Sequence, residues 1–237
     1  MTQLFYHPDL DNSTIQFSFD KEESRHLVRV LRKKEGDEVH ITNGKGDLFT
    51  AKIIEIGSKM CRASIIRTDR KHRKMHWLHL AVAPTKSNDR FEWFLEKATE
   101  IGIQEITPIF CEHSERTVIK MERLEKVIQA AMKQSLRAYL PKLNKPISYS
   151  EFVTKEYQEL KFIAHCEEEE KLDLKRCIAA DNNVTILIGP EGDFSSKEIE
   201  MAYNNDFLPI SLGEARLRTE TAAIVACTAV AIINSGS

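Results

Sequence analysis

The hydrophobic rhythm of this chain changes once, near residue 70, and that change constrains the fold more than any other feature. Before it, apolar residues recur with a period of two. Ile15-Gln16-Phe17-Ser18-Phe19 alternates, and so do Val39 and Ile41, the pattern of half-buried strands. Asn43-Gly44-Lys45-Gly46 then interrupts, and residues 48–56 resume the strand pattern, so the spacing predicts a hairpin. Residues 63–66 predict another strand. One short helix is expected where Leu27, Val30 and Leu31 recur at helical spacing. A small β-barrel with one helix fits this rhythm. Residues 67–74, polar and dense in positive charge, read as the boundary between two domains.

Beyond that boundary strands and helices alternate. Residues 77–83, 105–110, 161–166, 184–188 and 207–212 read as strands. Helices are expected from Asn88, as cap, to Gly102, and over 121–140, 171–180 and 195–204. The last of these opens on the capping box Ser195-Ser196-Lys197-Glu198. Residues 220–234 form a nearly all-apolar helix, too short to span a bilayer and so expected to be buried. Alternation of this kind predicts an α/β fold with a parallel sheet. Glu167–Glu170 reads as a solvated loop.

Charge follows the same division. Residues 1–75 hold 15 Lys and Arg against 11 Asp and Glu, while residues 76–237 hold 19 against 25. A chain of net charge −2 therefore begins with a positive part, a candidate nucleic-acid platform. No apolar stretch reaches the ~18 residues of a membrane span, and the first residues lack the layout of a signal peptide. A cytoplasmic protein with no membrane association is expected. The five cysteines are odd in number and show no CxxC spacing, so neither a metal site nor a disulfide framework is expected.

Two loops can carry chemistry. Ile188-Gly189-Pro190-Glu191-Gly192-Asp193-Phe194 follows a buried strand and precedes a capped helix, where open α/β sheets bind ligands. Its glycines admit close backbone approach, and it is neither a P-loop nor GxGxxG. A tight turn that binds nothing is the alternative. Leu212-Gly213-Glu214-Ala215-Arg216-Leu217-Arg218-Thr219-Glu220-Thr221-Ala222-Ala223 also joins a strand to a helix. Its arginines either serve a ligand or pair with Glu214 and Glu220.

Together these loops resemble the Gly-Pro-Glu-Gly and Leu-Gly-x-x-x-Leu-Arg-x-Glu-Thr-Ala signatures of the ribosomal RNA small subunit methyltransferase E family, within the SPOUT class. His26-Leu27-Val28-Arg29-Val30-Leu31-Arg32, Gly36-Asp37, Glu96-Lys97-Ala98-Thr99-Glu100-Ile101-Gly102, Thr107-Pro108, Gln134-Ser135-Leu136-Arg137 and Pro141 extend the likeness in order along the chain. Ala215 stands where the family usually has arginine, with Arg216 next to it. Met132-Lys133-Gln134 replaces an acidic-then-Gln pair, and Asp193 replaces a glycine.

The resemblance implies a PUA-like β-barrel RNA-binding domain over residues 1–72 and a SPOUT methyltransferase domain over 73–237, its parallel sheet closed by a C-terminal trefoil knot. It also implies a homodimer. The activity implied is SAM-dependent methylation of N3 of a uridine in 16S rRNA, with the 30S subunit as partner. Leu187, Ile188, Gly189, Pro190, Glu191, Gly192, Leu212, Gly213, Arg216, Leu217, Thr219 and Ala222 would hold the cofactor.

N3 of uracil must lose a proton before it attacks the methyl group, and the charge spreads onto O2 and O4. Planar, permanently charged guanidinium groups suit that charge. Arg218 and Arg216 are the first catalytic candidates and Arg137 the third, with a surface role as its alternative. Glu191 and Glu220 are candidate bases. Arg25, Arg29 and Arg32, at i, i+4 and i+7, are expected on one helical face, and Lys33 and Lys34 extend its charge toward RNA phosphates; a solvated amphipathic helix is the alternative. Two rival classes stay open: an α/β enzyme using a nucleotide cofactor, and a non-catalytic RNA-binding module.

Overall fold

The computed structural model describes residues 3–57 and 60–235. It divides into two compact units, Met1–Arg73 with Met132–Leu140, and Lys74–Ala131 with Pro141–Ser237.

The first unit is a five-stranded sheet of β1 (Leu4–Tyr6), β2 (Gln16–Ser18), β3 (Glu38–Thr42), β4 (Asp47–Ile56) and β5 (Cys61–Arg70), in the order β1-β3-β4-β5-β2. β1 runs parallel to β3 and the other pairs are antiparallel. The alternating residues Phe17, Val39, Ile41, Phe49, Ala51 and Ile53 all face one core. Phe19 links the two edge strands: its ring lies 5.4 Å from Phe5 and 4.9 Å from Phe17. The β3–β4 turn is set by Asn43, whose Oδ1 accepts the N–H groups of Lys45 and Asp47 at 2.9 and 3.2 Å. Gly44 and Gly46 there take positive φ of 71° and 104°. β5 runs on through Arg70, so half of the expected linker is strand.

The short helix differs from its expected form. α1 (Lys21–Arg25) is capped by Asp20, which accepts the Glu23 N–H at 2.7 Å. It continues as a wider π-type turn over His26–Val30, which buries Leu27 and leaves Val30 69% exposed. The wider turn breaks the 3.6-residue spacing, and Arg32 falls beyond the helix with a left-handed φ of 53°. Arg25, Arg29 and Arg32 are exposed but do not share one regular helical face.

The helix expected over 121–140 ends early: α3 spans Met121–Gln134, and the residues after it lie along the β3–β4 turn. Thr42 Oγ1 and the Gly46 N–H both donate to the Ala138 carbonyl at 3.0 Å, and Tyr139 OH donates to the Lys71 carbonyl at 2.9 Å. The turn glycines make this approach possible, because a Cβ on Gly46 would strike the Tyr139 ring.

The second unit holds an eight-stranded sheet in which every pair is parallel. Its strands are β6 (Leu78–Val82), β7 (Glu105–Phe110), β8 (Lys142–Leu143), β9 (Ile147–Ser148), β10 (Leu160–Ala164), β11 (Leu172–Asp173), β12 (Val184–Ile188) and β13 (Leu208–Ser211). The order is β11-β13-β10-β12-β6-β7-β8, with β9 beside β7. β6 and β12 are buried at every position, as strands covered on both faces must be. The helices are α2 (Asn88–Ile101), α4 (Tyr149–Val153), α5 (Leu174–Cys177), α6 (Ser196–Asn204) and α7 (Thr219–Ile233). α2 buries Phe91, Phe94, Leu95 and Ala98 and ends at Gly102, with φ 111°; its N-cap is Ser87 rather than Asn88. α6 carries the full capping box of Ser195 and Glu198. α7 is not buried all round. Ala223, Ala226, Cys227 and Val230 form its buried stripe, while Ile232 is 65% exposed.

Among the described residues no helix is long and apolar enough to cross a membrane, and no cluster of His, Cys, Asp or Glu is placed to hold a metal.

Candidate functional site

β12 lies between β6 and β10 although it follows both in the chain. This insertion gathers the segments after β10, β12 and β13 at the carboxyl ends of neighbouring strands, where parallel sheets place their ligands. A cleft of about 650 Å³ opens there, within the range that holds a nucleoside-sized molecule.

Both motif loops line it. Ile188, Gly189, Pro190 and Glu191 form one wall, and the whole run 210–219 with Ala222 forms another. Leu187 and Gly192, expected in the same set, lie outside the lining. Leu187 packs into the core beneath the sheet. Gly192 meets protein instead of ligand, since a Cβ there would lie 3.0 Å from His113 Cβ. The two loops are joined by a buried hydrogen bond in which Thr219 Oγ1 donates to the Gly189 carbonyl at 2.9 Å. Gly213, with φ 134°, has open space where a side chain would stand. The open backbone at Gly213 suits a cofactor gripped in part through main-chain groups.

Arg216 and Arg218 both line the cleft and both are exposed. Neither is therefore desolvated by burial. Nor does either arginine pair with Glu214 or Glu220. Glu220 is buried at the start of α7, and its Oε1 lies 3.8 Å from Arg90 Nε. Glu220 is absent from the cleft wall. Glu191 is on it, with Oε1 accepting the Lys86 N–H at 2.9 Å and Oε2 buried without a partner among the described residues. Arg137 belongs to the first unit. In that unit Lys33 Nζ donates to the Glu38 carbonyl at 3.0 Å, which ties it to the backbone, whereas the side chains of Arg25, Arg29, Arg32 and Lys34 have no ion pair among the described residues.

A third wall escaped the sequence reading. Ala164, His165, Cys166 and Lys171, from the end of β10, line the cleft together with Asp193. Glu167–Glu170 is an exposed loop, as expected, and two of its side chains are anchored. Glu167 accepts from Ser196 Oγ at 2.8 Å, and Glu169 Oε1 accepts from His165 Nε2 at 2.9 Å and from Tyr203 OH. Burial, aided by the Lys171 ammonium, holds the His165 ring below its ordinary pKa. Burial and the Asp193 carboxylate push the Cys166 thiol up, against Arg216, which pulls it down. The one signal available beforehand was the strand itself, since ligand segments follow the strands adjacent to β12; which strands those are is a matter of topology.

Comparison with known proteins bears on the same regions. The family model for an RNA methyltransferase domain matches residues 71–231, and that for an RNA methyltransferase PUA domain matches residues 19–66. The ribosomal RNA small subunit methyltransferase E of Buchnera aphidicola is 32% identical, over 96% of this chain and 92% of its own length. A crystal structure of a probable rRNA-methyltransferase from Porphyromonas gingivalis is 39% identical, with a TM-score of 0.91 and 98% of each chain covered. A putative methyltransferase from Legionella pneumophila, solved in complex with the bound cofactor SAM, is 30% identical at a TM-score of 0.88, covering 99% of this chain and 98% of its own. With both its sheets matched in this way over nearly its full length, the chain belongs to the ribosomal RNA small subunit methyltransferase E family of RNA methyltransferases.

Proposed function

We propose that this protein methylates N3 of a uridine in 16S rRNA, with SAM held in the cleft at the ends of β10, β12 and β13. The observation that carries the reading is the loop 212–218. It walls the cleft, and its two arginines stand at the same cleft with no ion pair among the described residues. SAM supplies the methyl group. The residues of this chain that suit it are Ile188, Gly189, Pro190 and Glu191 on one side, and Leu212, Gly213, Leu217, Thr219 and Ala222 on the other, mainly through main-chain groups. Leu187 and Gly192 would act from behind, by shaping the β12 end.

The work left to side chains is electrostatic. A uridine poised to lose its N3 proton gathers negative charge on O2 and O4, and a guanidinium fork meets two such acceptors at once. Arg218 is assigned that task, with Arg216 beside it. Arg137 is retained as a third candidate. Glu191, which lines the cleft and has one carboxylate oxygen without a partner among the described residues, is a better candidate to receive the proton than Glu220, which faces Arg90.

Arg25, Arg29, Arg32 and Lys34 serve phosphate contacts, a role their unpaired charges support and one that brings affinity rather than sequence choice. The half-exposed apolar side of α7 supports a homodimer, because an uncovered helix face of this composition is costly in water. A trefoil knot through the C-terminal segments, and a cytoplasmic setting with the 30S subunit as substrate, complete the reading. The test is direct: incubation with labelled SAM and 30S subunits or 16S rRNA, then nucleoside analysis. Label in 3-methyluridine supports the proposal; label in another nucleoside, or none, overturns it.

A further inference from the structure

We propose that Asp193 is a positioning residue: its carboxylate clamps the segment following β10 against the cofactor cleft and thereby sets the affinity for SAM. The inference rests on the reading of that cleft as the SAM site. Asp193 holds a left-handed φ of 63°, which side-chain-bearing residues adopt at a cost and glycine adopts freely. The side chain in this strained place has a specific bond. Asp193 Oδ2 accepts the Cys166 N–H at 2.7 Å, 27 residues away in sequence. Its own carbonyl accepts a hydrogen bond from His113 Nδ1 at 3.1 Å, which requires the tautomer protonated at Nδ1. One residue thus ties together the segments that follow β7, β10 and β12.

The clamped segment has reason to need it. Glu167–Glu170 places four acidic side chains in a row, and their mutual repulsion favours an extended, detached strap. Holding it are Lys171 Nζ, which donates to the His165 carbonyl at 2.9 Å and to the Glu167 carbonyl, and the contacts of Glu167 and Glu169 with Ser196, His165 and Tyr203. These close the strap back on His165 and fasten it to α6. Asp193 acts at its start, where His165 and Cys166 line the cleft. The His165 side chain is itself fully buried, so it is the backbone there that forms the wall. A wall that is in place only part of the time weakens apparent affinity in proportion to that fraction.

Asp193→Gly and Asp193→Asn separate the possibilities. Glycine suits the left-handed backbone but cannot bond Cys166, whereas asparagine tolerates the backbone and keeps an acceptor oxygen. SAM affinity by calorimetry and amide exchange at Cys166 in the SAM-free protein are the two readouts. For Asp193→Gly we expect the dissociation constant to rise about tenfold, as for a wall in place a tenth of the time. We also expect Cys166 exchange to accelerate, with no fall in Tm. Asp193→Asn should stay near wild type in both. Wild-type SAM affinity in Asp193→Gly would overturn the proposal. So would an equal loss in both variants, which would mean that charge acts rather than the bond. If the wild-type protein itself failed to bind SAM, the cofactor reading would fall, while unchanged or faster exchange at Cys166 would still decide the clamp.

Discussion

Thr219 is the most exacting place to test how the site is held. It opens α7, is 5% exposed, and its hydroxyl donates to the Gly189 carbonyl across 30 residues. That bond is the direct tie between the two motif loops. Thr219→Val preserves shape and removes the donor, leaving a buried carbonyl without a partner. The expected loss is about 1–3 kcal/mol. Taking about 2 kcal/mol, a protein of this length should melt about 4–8 °C lower. The same energy caps the effect on SAM at about a thirtyfold rise in dissociation constant, reached only if the loops separate fully without the bond. Thr219→Ser keeps the hydroxyl and should recover most of both losses. Thermal unfolding of the cofactor-free protein and SAM titration measure the two quantities. A Thr219→Val protein that melts and binds like wild type would refute the reasoning, as would a Thr219→Ser protein as impaired as the valine variant.

Three further outcomes are expected. Arg218→Lys keeps the charge and loses the fork, so single-turnover methylation at saturating SAM and RNA should slow by ~10²-fold; a near-wild-type rate would remove Arg218 from the chemistry. Replacing Arg29 and Arg32 together by alanine should lower the salt dependence of RNA binding by roughly one unit per lost phosphate contact, with SAM affinity unchanged. The third concerns pH. His79 is buried, with Nε2 2.7 Å from Thr107 Oγ1, and burial holds its ring below the ordinary value despite the opposing carboxylates of Glu105 and Glu159. Unfolding frees the ring to take a proton once pH drops below about 6.5. Its contribution to stability is therefore complete above that pH and is lost as pH falls toward the folded value. Tm measured from pH 7 to 5 should fall less steeply in His79→Gln, and equal slopes would show that other groups govern the acid limb.

What could be read beforehand was local. The β3–β4 turn, the capping box at Ser195 and Glu198, the Gly102 terminus of α2 and the uninterrupted apolar strand β12 each declare themselves within a few residues, because the forces that set them act over one turn. The two motif loops were legible for the same reason. The failures share a different origin. α1 was expected to keep a regular period through Arg32, but burial of Leu27 against the sheet is served by a wider turn, and the arginine register is lost with it. Residues 135–140 have helix-compatible composition, yet the bonds of Ala138 and Tyr139 to the β3–β4 turn take precedence over helix continuation.

The anchoring of the acidic segment is instructive in another way. Glu167–Glu170 is exposed, as a run of like charge should be, and nothing within it signals that Glu167 and Glu169 are anchored. Its order comes from partners supplied by α6, by Lys171 and by Asp193, each of which is unremarkable in its own neighbourhood. They meet because β12 inserts between β6 and β10, and strand order is a property of the whole sheet that no window of sequence contains. Asp193 shows the same logic at one residue. Within its loop it is only a departure from glycine that the backbone must strain to accommodate. Beside the end of β10 it becomes a carboxylate matched to a free N–H, and the strain acquires a function. A substitution that looks unfavourable in its own turn can thus be evidence of a contact made elsewhere, and the positive φ of Asp193 is where that evidence is recorded.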